Sequence, residues 1–156
     1  MRDIQDEGSL IAVAGARHAA WMVRLGRGAR QHGGGGGGGL AAAAGDAIRG
    51  GRGAGTVTEV LTDRVVDAHG GTVALGRLSG VPAVEVGSPL TASIQEPVVR
   101  SWGGGQVAVA TAGRLTNGAA LRQQLLGEGV VFEGSSDAEL IAALLARQSG
   151  RTLVNR

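Results

Sequence analysis

The residues best placed for chemistry lie where an apolar run turns into a helix, at Thr111–Arg114. One apolar run ends at Trp102, three glycines follow, and a second run leads to Gly113. This pattern predicts a β-hairpin whose second strand turns sharply and feeds a helix that begins at Asn117. A tight turn containing glycine either presents backbone N–H groups to a ligand or simply connects the two elements.

A second position of interest is Asp137, at the start of the clearest helix in the chain. Ser136-Asp137-Ala138-Glu139 has the form of a capping box, and an apolar stripe follows before Gly150. An aspartate in a first helical turn stabilises the helix dipole without any ligand. That structural role is favoured over a binding role about two to one.

Several kinds of site are disfavoured by composition. The chain has no cysteine, so it has no disulfide, thiolate metal site or thiol nucleophile. His18, His32 and His69 show no spacing typical of a metal site or a catalytic dyad, and we expect no cofactor and no metal. The seven glycines of Gly33–Gly39 lack the Lys and Ser/Thr of a phosphate loop, so they predict a flexible loop.

Length and charge indicate one domain without a marked nucleic-acid surface. The 156 residues include only 2% aromatics, so the core must consist of Ala, Val, Leu and Ile, and we expect marginal stability. The pI near 10.9 arises because every basic residue is Arg while the net charge is only +2. An RNA-binding role for the Gly/Arg segment Arg49–Gly55 is an alternative, disfavoured because the segment occurs once. No apolar run approaches the roughly 20 residues of a membrane span, and the polar N-terminus predicts a cytoplasmic protein.

The stretch Pro97–Asn117, together with residues 120–146, resembles the N-terminal glutaminase domain of amidophosphoribosyltransferase. That domain is a class-II glutamine amidotransferase of the N-terminal-nucleophile hydrolase type. The resemblance covers roughly Asp6–Asn155. It implies an α+β fold, an αββα sandwich that is incomplete at the C-terminus, with a leader at residues 1–8 and the domain at residues 9–156.

The resemblance also implies where a glutaminase would carry its reactive groups. The family's nucleophile is an N-terminal cysteine that follows a short propeptide, and Gly8 occupies that place, with Ser9 as a weak alternative. The family's His-Asn-Gly-Asn motif corresponds to Thr111-Ala112-Gly113-Arg114. The oxyanion-binding asparagine is therefore replaced by Ala112, while Gly113 is kept as a substrate-binding remnant.

In the family, two charged side chains bind the α-carboxylate and the amino group of the substrate, and only the second has a counterpart at the matching position here. The arginine that binds the α-carboxylate corresponds to Ser79, and Arg77, two residues away and on the same sheet face, is a weak partial substitute. Asp137 stands where the family's aspartate receives the substrate amino group. The polar segment that follows the family's first helix is replaced by glycines after His32.

For the remaining elements the residues predict strands at Ser9–Gly15, Thr72–Leu78 and, more weakly, Arg64–Ala68. Residues 40–46 are expected to be a strand because the family has one there. Helices are predicted over residues 16–31 and from an N-cap at Asn117 to Gly127. Residues 56–61 are compatible with either element. Loops are predicted at 49–55 and 79–96.

Three hypotheses follow for function. The first is a glutamine amidotransferase-like domain without glutaminase activity, serving as a regulatory or assembly module or a relic. The second is an amidohydrolase that uses Ser9 after removal of the leader. The third is a glycine–arginine-rich nucleic-acid binder that uses the Gly33–Gly39 and Arg49–Gly55 loops. The partners expected are glutamine and a protein partner or second copy that completes the sheet, with no membrane.

Overall fold

The computed structural model describes residues 8–28, 37–79, 96–102 and 105–147, and these residues form two sheets covered by helices. Residues 1–7 of the predicted leader, Gly33–Gly36 and most of the predicted loop at 79–96 lie outside the described residues.

The first sheet, sheet A, has four antiparallel strands in the order β1-β4-β2-β3. Its strands are β1 (Ser9–Ala14), β2 (Gly38–Ala44), β3 (Ala47–Gly53) and β4 (Val73–Leu78). The predicted strands at Ser9–Gly15, 40–46 and Thr72–Leu78 are confirmed in kind. The second sheet, sheet B, is the predicted hairpin, made of β5 (Val98–Trp102) and β6 (Gly105–Val109).

Three helices cover the outer face of sheet A: α1 (Ala19–Gly28), α2 (Val57–Val60) and α3 (Asp63–Ala68). Helix α2 has a capping box in which Thr56 N donates to Glu59 Oε2 at 2.7 Å, and this bond lowers the pKa of Glu59. The core between these helices and sheet A is built from small and aliphatic side chains, which include Ala19, Val23, Leu40, Ala42, Leu61, Val66 and Leu78.

Two further helices lie on the outer face of sheet B: α4 (Gly118–Gly127) and α5 (Asp137–Arg147). Helix α5 packs on β5 and β6 through Val98, Ala138 and Ala142, while Leu125 and Leu140 join α4 to α5. The layers therefore follow the order helix, sheet, sheet, helix, and the predicted α+β sandwich of the N-terminal-nucleophile type is confirmed.

The two sheets face each other across small residues. A Cβ added to Gly50 would lie 3.8 Å from Val99 Cγ2 of β5, and Ile48 N donates a hydrogen bond to Gln106 Oε1 at 2.6 Å. At Gly50 and Ile48, side chains of sheet B therefore reach the backbone of β3.

Four predictions of local structure are wrong. Arg49–Gly55 was predicted to be a loop, but residues up to Gly53 form β3, since pairing with β2 overrides the poor strand propensity of glycine. Arg64–Ala68 is helical because Thr62 caps α3 by accepting a bond from Val65 N. Gly38 and Gly39 belong to β2 rather than to a loop, and the Asn117 side chain makes no cap hydrogen bond.

Candidate functional site

Several of the positions singled out by the sequence lie at one end of sheet A. Ser9 at the start of β1 and Gly38 at the start of β2 both pair with Leu78 at the end of β4. Ser79 N donates to Gly37 O at 3.0 Å, which ties the segment after β4 to the segment before β2. We call this end of the sandwich the corner.

A buried ion pair connects the two sheets at the corner. Arg77 of β4 and Glu96, just before β5, are 5% and 3% exposed, and Arg77 Nε lies 3.5 Å from Glu96 Oε2. The guanidinium is oriented by Arg77 Nη1, which donates to Leu78 O at 2.9 Å. Nε itself makes no hydrogen bond within the described part of the chain.

Thr111 completes this cluster from the second sheet. Its backbone N–H donates to Glu96 Oε2 at 2.6 Å, and its hydroxyl lies 3.0 Å from Oε1. Thr111 lies near the start of the loop between β6 and α4, residues 110–117, so its two bonds to Glu96 link the turn that the sequence singled out to the segment before β5.

Gly39 permits the close approach of these segments. It pairs directly with Arg77 on one side and with Arg52 on the other. A Cβ built on Gly39 would lie 2.2 Å from Glu96 O, which is far inside van der Waals contact. A side chain at this position is therefore incompatible with the observed place of Glu96.

Ser9, the alternative nucleophile, lies on the other face of sheet A. Side chains of directly paired residues share a face, and Leu78, the partner of Ser9, packs into the core beneath α1. Arg77 is adjacent to Leu78 in the strand and therefore points toward sheet B. The Ser9 side chain is thus separated by the sheet from Arg77, Glu96 and Thr111.

Gly8, the residue at the expected nucleophile position, has a φ of 96°. This value lies in the left-handed region, where a residue with a side chain is strained. With residues 1–7 attached, the backbone conformation at position 8 therefore favours glycine over a residue with a side chain.

The turn at residues 111–114 is accessible. Gly113 has a φ of 123°, it is exposed, and a Cβ added to it would meet nothing within 4 Å. Ala112 is exposed as well, and its methyl group offers no hydrogen bond to a developing oxyanion. The turn is therefore open to solvent, and Ala112 supplies no side-chain donor in it.

Asp137 holds the far end of the same loop. Its Oδ2 accepts a hydrogen bond from Leu115 N at 2.7 Å, and its Oδ1 would lie 3.0 Å from a Cβ on Gly118. One carboxylate oxygen of Asp137 is thus hydrogen-bonded to the backbone of the loop that connects β6 to α4. A helix-dipole role was predicted for Asp137, and the bond to Leu115 adds a second structural role.

Glu139, which the sequence treated as part of a capping box, has a larger role. Glu139 N donates to Ser136 Oγ at 3.3 Å, which is one half of the predicted box. The carboxylate, only 4% exposed, instead accepts bonds from Glu133 N and Gly134 N. Arg100 and Arg122 lie 3.5 and 4.0 Å from its oxygens and secure the loop from both sides.

A cavity of about 570 Å³ lies between β3, β5 and the loop before α5. Its charged lining residues are two arginines and two glutamates: Arg52, Arg100, Glu133 and Glu139. The charges balance, and Arg100 is already bonded to Val131 O. The cavity therefore has no net charge that would select an ionic ligand.

The described residues contain no group of three or more side chains arranged to hold a metal ion. His18 is exposed, and His69 Nδ1 contacts Val65 O within its own helix turn. His32 lies outside the described residues. Along the same described ranges, no helix is long and apolar enough to cross a membrane.

Sequence reasoning missed Glu96 and Thr111 as partners. The signal available was an acidic residue directly before Pro97 at the start of an apolar strand, a place where a charge is unusual. Without the fold, nothing in the sequence connects that charge to Arg77.

The helix, sheet, sheet, helix sandwich is the architecture of a glutamine amidotransferase domain of the N-terminal-nucleophile class. A family model described as a glutamine amidotransferase domain matches residues 83–156. The chain is 30% identical over 150 residues to an amidophosphoribosyltransferase of Lacticaseibacillus casei, covering 96% of this chain and 76% of the relative. The chain therefore belongs to the amidophosphoribosyltransferase family.

Further relatives agree with this assignment. An amidophosphoribosyltransferase of Bacillus subtilis is 29% identical over 153 residues, and the chain spans 32% of that relative. Among solved structures, an allosteric regulatory enzyme of purine biosynthesis matches with a TM-score of 0.78 and 30% identity, over 94% of this chain and 31% of the other. The Bacillus subtilis glutamine phosphoribosylpyrophosphate amidotransferase, complexed with ADP and GMP, matches with a TM-score of 0.76 and 28% identity, over 94% of this chain and 30% of the other.

Proposed function

We propose that this chain is a glutamine amidotransferase-type domain that keeps the family's frame, does not hydrolyse glutamine, and acts as a regulatory or assembly module related to purine biosynthesis. The observation that carries the proposal is the corner. Arg77 and Thr111 carry the hydrogen-bond donors nearest the expected substrate position, and both residues contact the Glu96 carboxylate of the same chain.

The chemistry of amide hydrolysis supports this proposal. A class-II glutaminase needs a nucleophile beside a free amine, an oxyanion donor and an anchor for the α-carboxylate. The positions that the resemblance gives for these groups hold Gly8, Ala112 and Ser79. Loss of one oxyanion donor alone typically lowers the rate by about 10²–10³, and a glycine supplies no nucleophile at all.

The Ser9 alternative is disfavoured by the register of β1. A serine nucleophile must face the oxyanion turn at Gly113, which follows a strand of sheet B. The Ser9 side chain shares the face of Leu78, which packs against α1 on the opposite side of sheet A.

The nucleic-acid alternative is disfavoured by the structure of its own segment. Arg49 and Arg52 lie in β3, which pairs with β2 along its length. Because they are three residues apart in a strand, their side chains point to opposite faces and form no common basic surface.

An assembly role is supported by the inner face of sheet A near β1. Leu10 and Val73 are 42% and 46% exposed, although they lie on the face that sheet B covers elsewhere. We propose that a protein partner or a second copy covers these residues. Sedimentation of the purified chain separates self-association from a monomer that requires a different partner.

The experiment that tests the proposal is an intact-mass measurement on the purified chain after prolonged incubation. We expect the full 15.5 kDa chain, because activation of an N-terminal nucleophile requires removal of the leader, and Gly8 stands where the resemblance places the nucleophile. Loss of residues 1–8 in the wild type, but not in Ser9→Ala, together with hydrolysis of glutamine, would overturn it.

A further inference from the structure

The corner contains a set of hydrogen-bond donors suited to binding a carboxylate, and the Glu96 carboxylate of the same chain occupies it. Three donor groups converge on Glu96 from two different elements: the Arg77 guanidinium of β4, and the N–H and hydroxyl of Thr111 after β6. A guanidinium with a backbone N–H and a hydroxyl is a donor set typical of sites that bind carboxylates.

The fold places these donors independently of Glu96. Arg77 is held in β4 by pairing with Leu10 and Gly39, and its Nη1 is bonded to Leu78 O. Thr111 follows β6, whose pairing with β5 ends at Val98. The donor set is therefore expected to persist when the Glu96 side chain is shortened.

Glu96 uses this donor set incompletely. Arg77 Nε is 3.5 Å from Oε2 and makes no hydrogen bond within the described residues, although the side chain is almost fully buried. Buried donors that remain without a hydrogen bond retain the capacity to bind an acceptor, since their desolvation is already complete. The fit of the tethered carboxylate is thus inferior to that of a free one.

We propose that Arg77 and Thr111 form a binding site for a small carboxylate, and that Glu96 occupies this site as an internal ligand and closes it to carboxylates from solution. Removal of the Glu96 carboxylate opens the site to anions of the size of formate or acetate. Glu96 is therefore an autoinhibitory contact, which keeps the corner of the wild-type chain from binding a free carboxylate.

The test is whether acetate restores the stability of the Glu96→Ala variant. Its thermal unfolding is measured in sodium acetate and in sodium chloride at equal ionic strength. We expect the unfolding midpoint of this variant to lie below that of the wild type and to rise in acetate only. For a dissociation constant of about 10 mM, 100 mM acetate changes the unfolding equilibrium constant about tenfold. Acetamide, which is neutral, should leave the midpoint unchanged.

Three control variants make the test specific. The wild type and Glu133→Ala, which loses an exposed carboxylate in another loop, should show no acetate-specific rise. The double variant Glu96→Ala/Arg77→Met should lose the rise, because the guanidinium is removed. In Glu96→Gln the amide fills the site, so acetate should have no effect.

An equal response to acetate and chloride, or a response retained in the double variant, overturns the proposal. So does a Glu96→Ala chain that stays unfolded at every acetate concentration, whereas folding only in acetate supports it. The inference does not rest on the absence of glutaminase activity, since hydrolysis of glutamine by the wild type would leave the rescue experiment unaffected.

Discussion

Several side chains of the candidate site contact groups of the same chain. Arg77 is paired with Glu96, Glu96 accepts from Thr111, and Asp137 accepts from Leu115 N. Each of these groups is used by a neighbour in the same chain. Buried charges with good partners are retained at little net cost, whereas removal of one partner is costly.

At this scale the account predicts that Asp137→Ala destabilises the chain. The substitution removes the acceptor of the Leu115 N–H and a favourable charge in the first turn of α5. Hydrogen bonds to charged groups contribute about 1.5–3 kcal/mol, so we expect a loss of that size in the free energy of unfolding, measured in urea.

Glu133→Ala is the matched control for Asp137→Ala, because only its backbone N–H is used and its side chain is exposed. It should change stability by less than about 0.5 kcal/mol. If Asp137→Ala were equally neutral, the carboxylate would not be a structural group, and a role in ligand binding would become the better explanation.

The sequence identified which reactive groups are absent but not which groups replace them. Gly8, Ala112 and Ser79 were identified by matching the sequence to the family's motifs, which requires no knowledge of the fold. The pairing of Glu96 with Arg77 and Thr111 depends on contact between two sheets, which no local pattern encodes.

At the scale of elements, pairing with a neighbouring strand decides whether a segment is a strand more strongly than the intrinsic propensity of its residues does. Strand β2 is mostly alanine and β3 is mostly glycine and arginine, yet both are strands because they pair with each other along seven residues. The strongly patterned elements β1, β4 and α5 were predicted, since apolar alternation and caps are local signals. Helix α3 was missed because its two central valines favour a strand and outweighed the Thr62 cap.

The element-scale prediction concerns Gly39 in β2. A Cβ at this position would lie 2.2 Å from Glu96 O and 3.0 Å from Arg52 Cβ. Gly39→Ala should therefore destabilise the chain by at least about 1–3 kcal/mol, the typical cost of overpacking, measured by urea unfolding.

Gly127→Ala is the contrasting variant, because a Cβ on this residue at the end of α4 meets nothing within 4 Å. It should be neutral or stabilising by up to about 1 kcal/mol. Equal effects of the two substitutions would show that Gly39 does not set the approach of the Glu96 segment to sheet A.

At the scale of the whole molecule, the chain has the architecture of the family's glutamine amidotransferase domain. The described residues keep the helix, sheet, sheet, helix order, with separate cores on the outer faces of the two sheets. The chain nevertheless spans only 32% of the Bacillus subtilis relative, so the activity of a whole amidophosphoribosyltransferase is not carried over to it. What the comparisons show to be shared is the fold over nearly the whole of this chain.

The measurement that tests this account most directly is the release of glutamate from glutamine by the purified chain, with an active amidophosphoribosyltransferase as the positive control. We predict no glutamate above the protein-free blank, because Gly8, Ala112 and Ser79 occupy the positions of the reactive and binding groups. Glutamate released in molar excess over the protein, and abolished in Ser9→Ala, would contradict the account.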